Sequence, residues 1–77
     1  MIPLAIATPG KVVKLVAIHG GIGIRKRLAD LGLTPGTTLR VVRANSRGPI
    51  IVSFKDDVRL ALGRGMAYKI KVESLSL

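Results

Sequence analysis

Three successive segments in the second half of the chain alternate apolar and polar side chains with a period of two. In Ile50-Ile51-Val52-Ser53-Phe54, one face carries Ile50, Val52 and Phe54. Val58, Leu60 and Leu62 line one face of the next segment, with Arg59 and Ala61 opposite. Tyr68, Ile70 and Val72 line the last, opposite Lys69, Lys71 and Glu73. Successive side chains of a strand point to opposite faces, so the pattern predicts half-buried antiparallel strands. Lys55-Asp56-Asp57 supplies the turn between the first two.

The first half reads as two more strands and a helix. Lys11 to Ile18 is an apolar-rich strand after a Pro9-Gly10 turn, and Leu39 to Arg43 alternates in part. Gly20, Gly21 and Gly23 predict a flexible loop. Ile24, Leu28 and Leu31 then recur at i, i+4 and i+7, which puts them on one helix face. Gly32 fits the helix stop, where positive φ is wanted, and Pro35-Gly36 fits a tight turn. Asn45-Ser46-Arg47-Gly48 reads as a loop, and Pro49 confines the strand after it to an edge or a bulge. Gly63-Arg64-Gly65-Met66-Ala67 is expected to be a tight bend or a single 3₁₀-like turn, and Ser74 to Leu77 to fray. About five short strands with one short helix can cover their own sheet edges only by curling into a small barrel. At 77 residues, without linker, repeat or low-complexity stretch, residues 1–77 form one domain.

Composition limits what such a barrel can do. The core must be Val, Ile and Leu, because Phe54 and Tyr68 are the only aromatics and both fall on apolar strand faces. Without cysteine there is no disulfide framework, thiolate metal site or thiol nucleophile. Metal ligation would fall to His19, Asp30, Asp56, Asp57, Glu73 and Met66. These are widely spaced and read as loop, turn or core residues, so no metal or cofactor is expected. Catalysis lacks a triad or a paired-carboxylate pocket, so an enzyme is not expected. Gly20-Gly21-Ile22-Gly23 lacks the Lys-Ser/Thr of a phosphate loop and reads as a strand-to-helix connection. The N-terminus has no basic leader and is broken by Pro3 and Pro9; no run approaches the roughly 18 apolar residues that cross a bilayer. The expected location is therefore the cytoplasm.

Thirteen Lys and Arg against four Asp and Glu give a formal charge of +9. Such a charge draws a protein to nucleic acid, anionic membrane surfaces or acidic protein faces. The densest cluster is Arg25-Lys26-Arg27 on the helix. Arg40, Arg43, Arg47, Arg59 and Arg64 extend it, depending on how the barrel folds.

Arg27-Leu28-Ala29-Asp30-Leu31-Gly32-Leu33-Thr34-Pro35-Gly36 resembles the RxLxxLGLxPG signature of ferrous iron transport protein A (FeoA) domains. The likeness continues through Thr38 to Val42, a loop ending in Gly48-Pro49, the segment Leu60-Ala61-Leu62-Gly63-Arg64-Gly65-Met66-Ala67 and a last strand Ile70-Lys71-Val72. The resemblance implies an SH3-like barrel, with Leu28, Leu31, Gly32, Leu33, Pro35, Gly36, Gly48, Pro49, Leu62 and Ala67 as structural motif positions. It also implies a non-enzymatic cytoplasmic partner of the ferrous iron transport protein B, a membrane permease with a cytosolic G domain. A similar barrel closes the iron-dependent repressors. Beginning at Met1 without DNA-binding helices, this chain is similar to the stand-alone form.

Arg25, Lys26, Arg27, Arg43, Arg47, Arg59 and Arg64 are then the expected partner-contacting residues. The alternative is a basic SH3-like barrel that binds nucleic acid by salt-sensitive phosphate contacts. Few aromatics are available to stack bases or line a peptide groove. An open strand edge would also allow homo-oligomers.

Overall fold

Alternation of side chains decides which parts of this chain can pair. In a computed structural model describing residues 1–44, 47–55 and 57–75, the alternating segments are strands, except that Tyr68 and Lys69 of the last one fall on a helix. The order is β1 (Ile2–Pro3), a 3₁₀ turn (Leu4–Ile6), β2 (Val12–Ile18), α1 (Ile22–Asp30), β3 (Thr38–Ala44), β4 (Ile50–Phe54), β5 (Val58–Leu62), α2 (Arg64–Lys69) and β6 (Ile70–Ser74). The strands form one sheet in the order β1-β6-β2-β3-β4-β5, and every pairing is antiparallel.

The register follows the apolar pattern. Leu39 and Val41 of β3 face Phe54 and Val52 of β4, and Val52 and Ile50 face Leu60 and Leu62 of β5. A slip of one residue would turn each of these rows to water. Two bulges, between Leu15 and Ala17 of β2 and between Val41 and Arg43 of β3, add local twist and bend the sheet. The curled sheet, an SH3-like barrel, encloses Leu15, Val41, Ile50, Val52, Ala67, Ile70 and Val72, all fully buried. Curling does not remove the edges: β1 and β5 end the strand order and do not pair with each other.

The turn from α1 into β3 is built as the glycines suggest. Leu33 N–H donates to Leu28 C=O at 2.8 Å and Gly32 N–H to Ala29 C=O at 2.9 Å. With Gly32 at φ +96°, this is a Schellman stop. Thr37 N–H donates to Thr34 C=O at 3.0 Å across Pro35-Gly36, with Gly36 at φ +99°, which is a type II turn. Gly36 N–H and Leu15 C=O are 2.8 Å apart, so the turn is pinned to β2.

Several local expectations change. Leu31 is exposed, and Leu33 takes its place in the core beside Leu28. The Schellman geometry explains this, since it brings the residue after the glycine back over the last helical turn. Ile22 and Gly23 belong to α1, not to the loop. The segment starting at Arg64 is a six-residue α-helix instead of a bend, and Tyr68 lies on it, exposed, not in the core. Six strands form, because Ile2–Pro3 pairs with β6. β4 is an internal strand; Pro49 lies just ahead of it, so the missing N–H interrupts no ladder bond, and the nearby bulge is in β3. Leu75 N–H still donates to Val12 C=O at 3.1 Å, so fraying does not start at Ser74. The expectations for Asn45, Ser46, Asp56, Ser76 and Leu77 lie outside the described residues.

Candidate functional site

Helix α1 is held to the barrel by one narrow stripe. Leu28 is buried and Ile24 packs against the core, while Ile22, Gly23, Arg25, Lys26, Arg27, Ala29 and Asp30 are exposed. At 100° per residue, Arg25, Lys26 and Arg27 span about 200° of the helix circumference. Gly21 caps the helix without a side-chain hydrogen bond, and its first turn has no acidic residue. Ile22, 86% exposed, stands beside these cations.

An open groove of about 420 Å³ runs between β2 and α1. Val16, Ala17 and Ile18 form one wall; Ala29, Leu33 and Pro35 form the other, with Arg25 at the rim. β2 and β3 pair only from Val12 to Lys14, and the groove opens where they part.

The other expected cations lie elsewhere. Arg43 is exposed on β3, Arg47 in the loop after it and Arg59 on β5. Arg64 is half-buried, and its Nη2 donates to the Ala5 carbonyl oxygen at 3.4 Å, tying α2 to the 3₁₀ turn. By element, the expected cations thus fall into the triplet on α1 and a second set, Arg43 and Arg59, on the sheet. Arg40 joins that second set. The register places Arg40, Ser53 and Arg59 in one row across β3, β4 and β5. They line a hollow of about 440 Å³ together with Lys55, which sequence reasoning left out of the site, and one carboxylate, Asp57. Period-2 alternation puts Arg59 opposite the apolar face, but only the register makes Arg40 and Arg59 neighbours of Ser53.

No group of three or more His, Asp or Glu able to hold a metal ion occurs among the described residues. His19 is exposed at the end of β2, Asp57 is in the β4–β5 turn, Glu73 pairs in register with Lys14, and Met66 packs on the core. Among the described residues no helix is long and apolar enough to cross a membrane.

The fold and sequence match known proteins over nearly the full length. A protein of Methanocaldococcus jannaschii, provisionally named Fe(2+) transport protein A, is 44% identical over 73 residues, covering 95% of this chain and 87% of that protein. The crystal structure of an iron uptake regulatory protein, FeoA, superimposes with a TM-score of 0.88 at 40% identity, covering 96% of this chain and 97% of the other. The solution structure of the FeoA protein from Chlorobium tepidum gives 0.84 at 30% identity, covering 97% of this chain and 71% of the other. The FeoA domain family matches residues 2–74, a span that takes in the capped helix, the turn behind it and all six strands, and the chain belongs to that family.

Proposed function

We propose that this chain is a non-enzymatic accessory module of ferrous iron uptake. It binds the ferrous iron transport protein B, a permease with a cytosolic G domain, from the cytosolic side, and regulates or assembles it. Family membership supports the pathway. The outer face of α1 is the docking surface, and the charge order along that helix is the observation that carries this. Arg25 closes its first turn and Asp30 ends it, while Lys26 sits at its centre and Arg27 in its last turn. The helix macrodipole disfavours a cation in the first turn and an anion in the last, so Arg25 and Asp30 each cost up to about 0.3–1 kcal/mol, which Arg27 offsets in part. A helix serving only the fold gains nothing from that cost, whereas an acidic partner surface would offset it. Arg43, Arg47 and Arg59 would contribute long-range attraction, and Arg64 would do so less, being half-buried.

Co-purification with the permease at about 0.15 M salt, with the G domain loaded with GTP or GDP, tests the reading. Retention should be lost with Arg25→Glu/Lys26→Glu. Arg25→Glu places an anion where the dipole favours one and Lys26→Glu lies at the helix centre, so the variant should fold about as well as the parent, and loss of binding would not reflect unfolding. Failure of the wild type to retain the permease in either nucleotide state overturns the reading. Retardation of duplex DNA or RNA at that salt, falling steeply as salt rises, would favour the nucleic-acid alternative instead.

A further inference from the structure

We propose that the free edge of β5 is a docking site for an extended segment of another protein, one that alternates apolar and acidic side chains and adds to the sheet as a seventh strand. This goes beyond the reading above. It concerns a different surface and holds whichever protein supplies the segment.

β5 ends the strand order and is paired with β4 alone. Alternate residues of a strand turn their N–H and C=O groups to opposite sides, so half of β5's backbone groups face away from β4. The inner row is also unfinished here. Phe54 and Val52 of β4 are buried, but their partners on β5 are not: Val58 is 46% exposed and Leu60 half-buried. Apolar side chains from a further strand, lying beside Val58 and Leu60, would complete that row.

The outer face sets the second requirement. Arg40, Ser53 and Arg59 form a row that stops at the β5 edge. Neither arginine has an ion-pair partner among the described residues. The next position in that row, on an added strand, lies roughly 5 Å from Arg59 between Cβ atoms. A carboxylate there would meet Arg59 and draw on Arg40 and Lys55, three cations against the one carboxylate, Asp57, that lines the same hollow. Apolar residues opposite Val58 and Leu60 with an acidic residue opposite Arg59 make a period-2 segment, so backbone pairing and side-chain matching demand the same sequence pattern. Among the described residues this chain has no such strand to offer a second copy of itself. Its four acidic residues are Asp30, Asp56, Asp57 and Glu73; of the three among the described residues, only Glu73 lies on a strand, where Lys71 is also charged.

The test uses the intact chain and a synthetic peptide, acetyl-Glu-Val-Glu-Val-Glu-Val-Glu-amide, followed by amide hydrogen exchange and by NMR at about 0.15 M salt. Exchange at outward-facing β5 amides should slow at least tenfold, with intermolecular contacts to Val58 and Leu60. Methylating alternate peptide nitrogens should abolish binding. Arg59→Glu should weaken it at least tenfold and shift preference to a peptide with Lys in place of Glu. Equal binding of the methylated peptide, protection confined to α1, indifference to Arg59→Glu, no protection at millimolar peptide, or a self-associated chain that the peptide does not dissociate would each overturn the proposal. None of these outcomes depends on the permease.

Discussion

Gly32 lies against the ring of Phe54, so the end of α1 docks directly onto β4. A β-carbon built on Gly32 would stand 3.1 Å from Phe54 Cε2 and 3.0 Å from Lys55 Nζ. The lysine end can move; the ring is buried at 3% exposure and has little room. The backbone at φ +96° adds strain for any L side chain. Gly32→Ala should therefore cost about 1–3 kcal/mol. In a domain whose total stability is about 3–5 kcal/mol, that should lower the urea midpoint substantially. An unchanged midpoint would mean that the helix end is not held against the ring.

The two leucines that the helical period groups together should behave differently. Leu28 is 1% exposed and packed in the core, so Leu28→Ala should cost about 2–5 kcal/mol and leave the domain largely unfolded. Leu31 is 45% exposed, and Leu31→Ala should shift stability by no more than about 0.5 kcal/mol. Thermal melts of the two variants check the order; equal costs would restore Leu31 to the core.

That contrast shows what the chain makes legible. Strand positions were readable because burial on a sheet face imposes a period of two at every residue, as in Ile50, Val52 and Phe54. Gly32 was readable because few residues adopt its backbone geometry. Leu31 and Leu33 could not be sorted by period, because the period ends at the helix stop and the Schellman bonds decide which leucine folds back. Tyr68 followed the alternation of β6 by accident; Gly63 caps α2 ahead of it, and the tyrosine falls on the helix. The site was less legible than the fold. The α1 triplet is contiguous in sequence, but the row Arg40, Ser53, Arg59 exists only through the pairing of three strands.

Helix α1 has stability in reserve. Gly23 lies inside it at ordinary helical backbone angles, and a β-carbon there would meet nothing within 4 Å. Gly23→Ala should stabilise the domain by about 0.4–1 kcal/mol by reducing the freedom of the unfolded chain. Urea unfolding should show a higher midpoint with an unchanged slope. Destabilisation would mean that the substituted helix end is not packed as described.

The arginines divide into those that hold the fold and those that face water, and truncation should separate them. Arg64 is half-buried on α2, and its guanidinium reaches back 59 residues to the Ala5 carbonyl. Removing the donor leaves that carbonyl part-buried and loosens α2 from the 3₁₀ turn it packs on, so Arg64→Ala should cost about 1–2 kcal/mol. Arg64→Lys should recover only part of this, because an ammonium lacks the reach and planar fork of a guanidinium. Arg43 and Arg59 are exposed on their strands, and their alanine variants should stay within about 0.5 kcal/mol of the parent. Chemical denaturation of the four variants decides it. A loss at Arg64→Ala no greater than at Arg43→Ala would return Arg64 to the set of cations available to a partner.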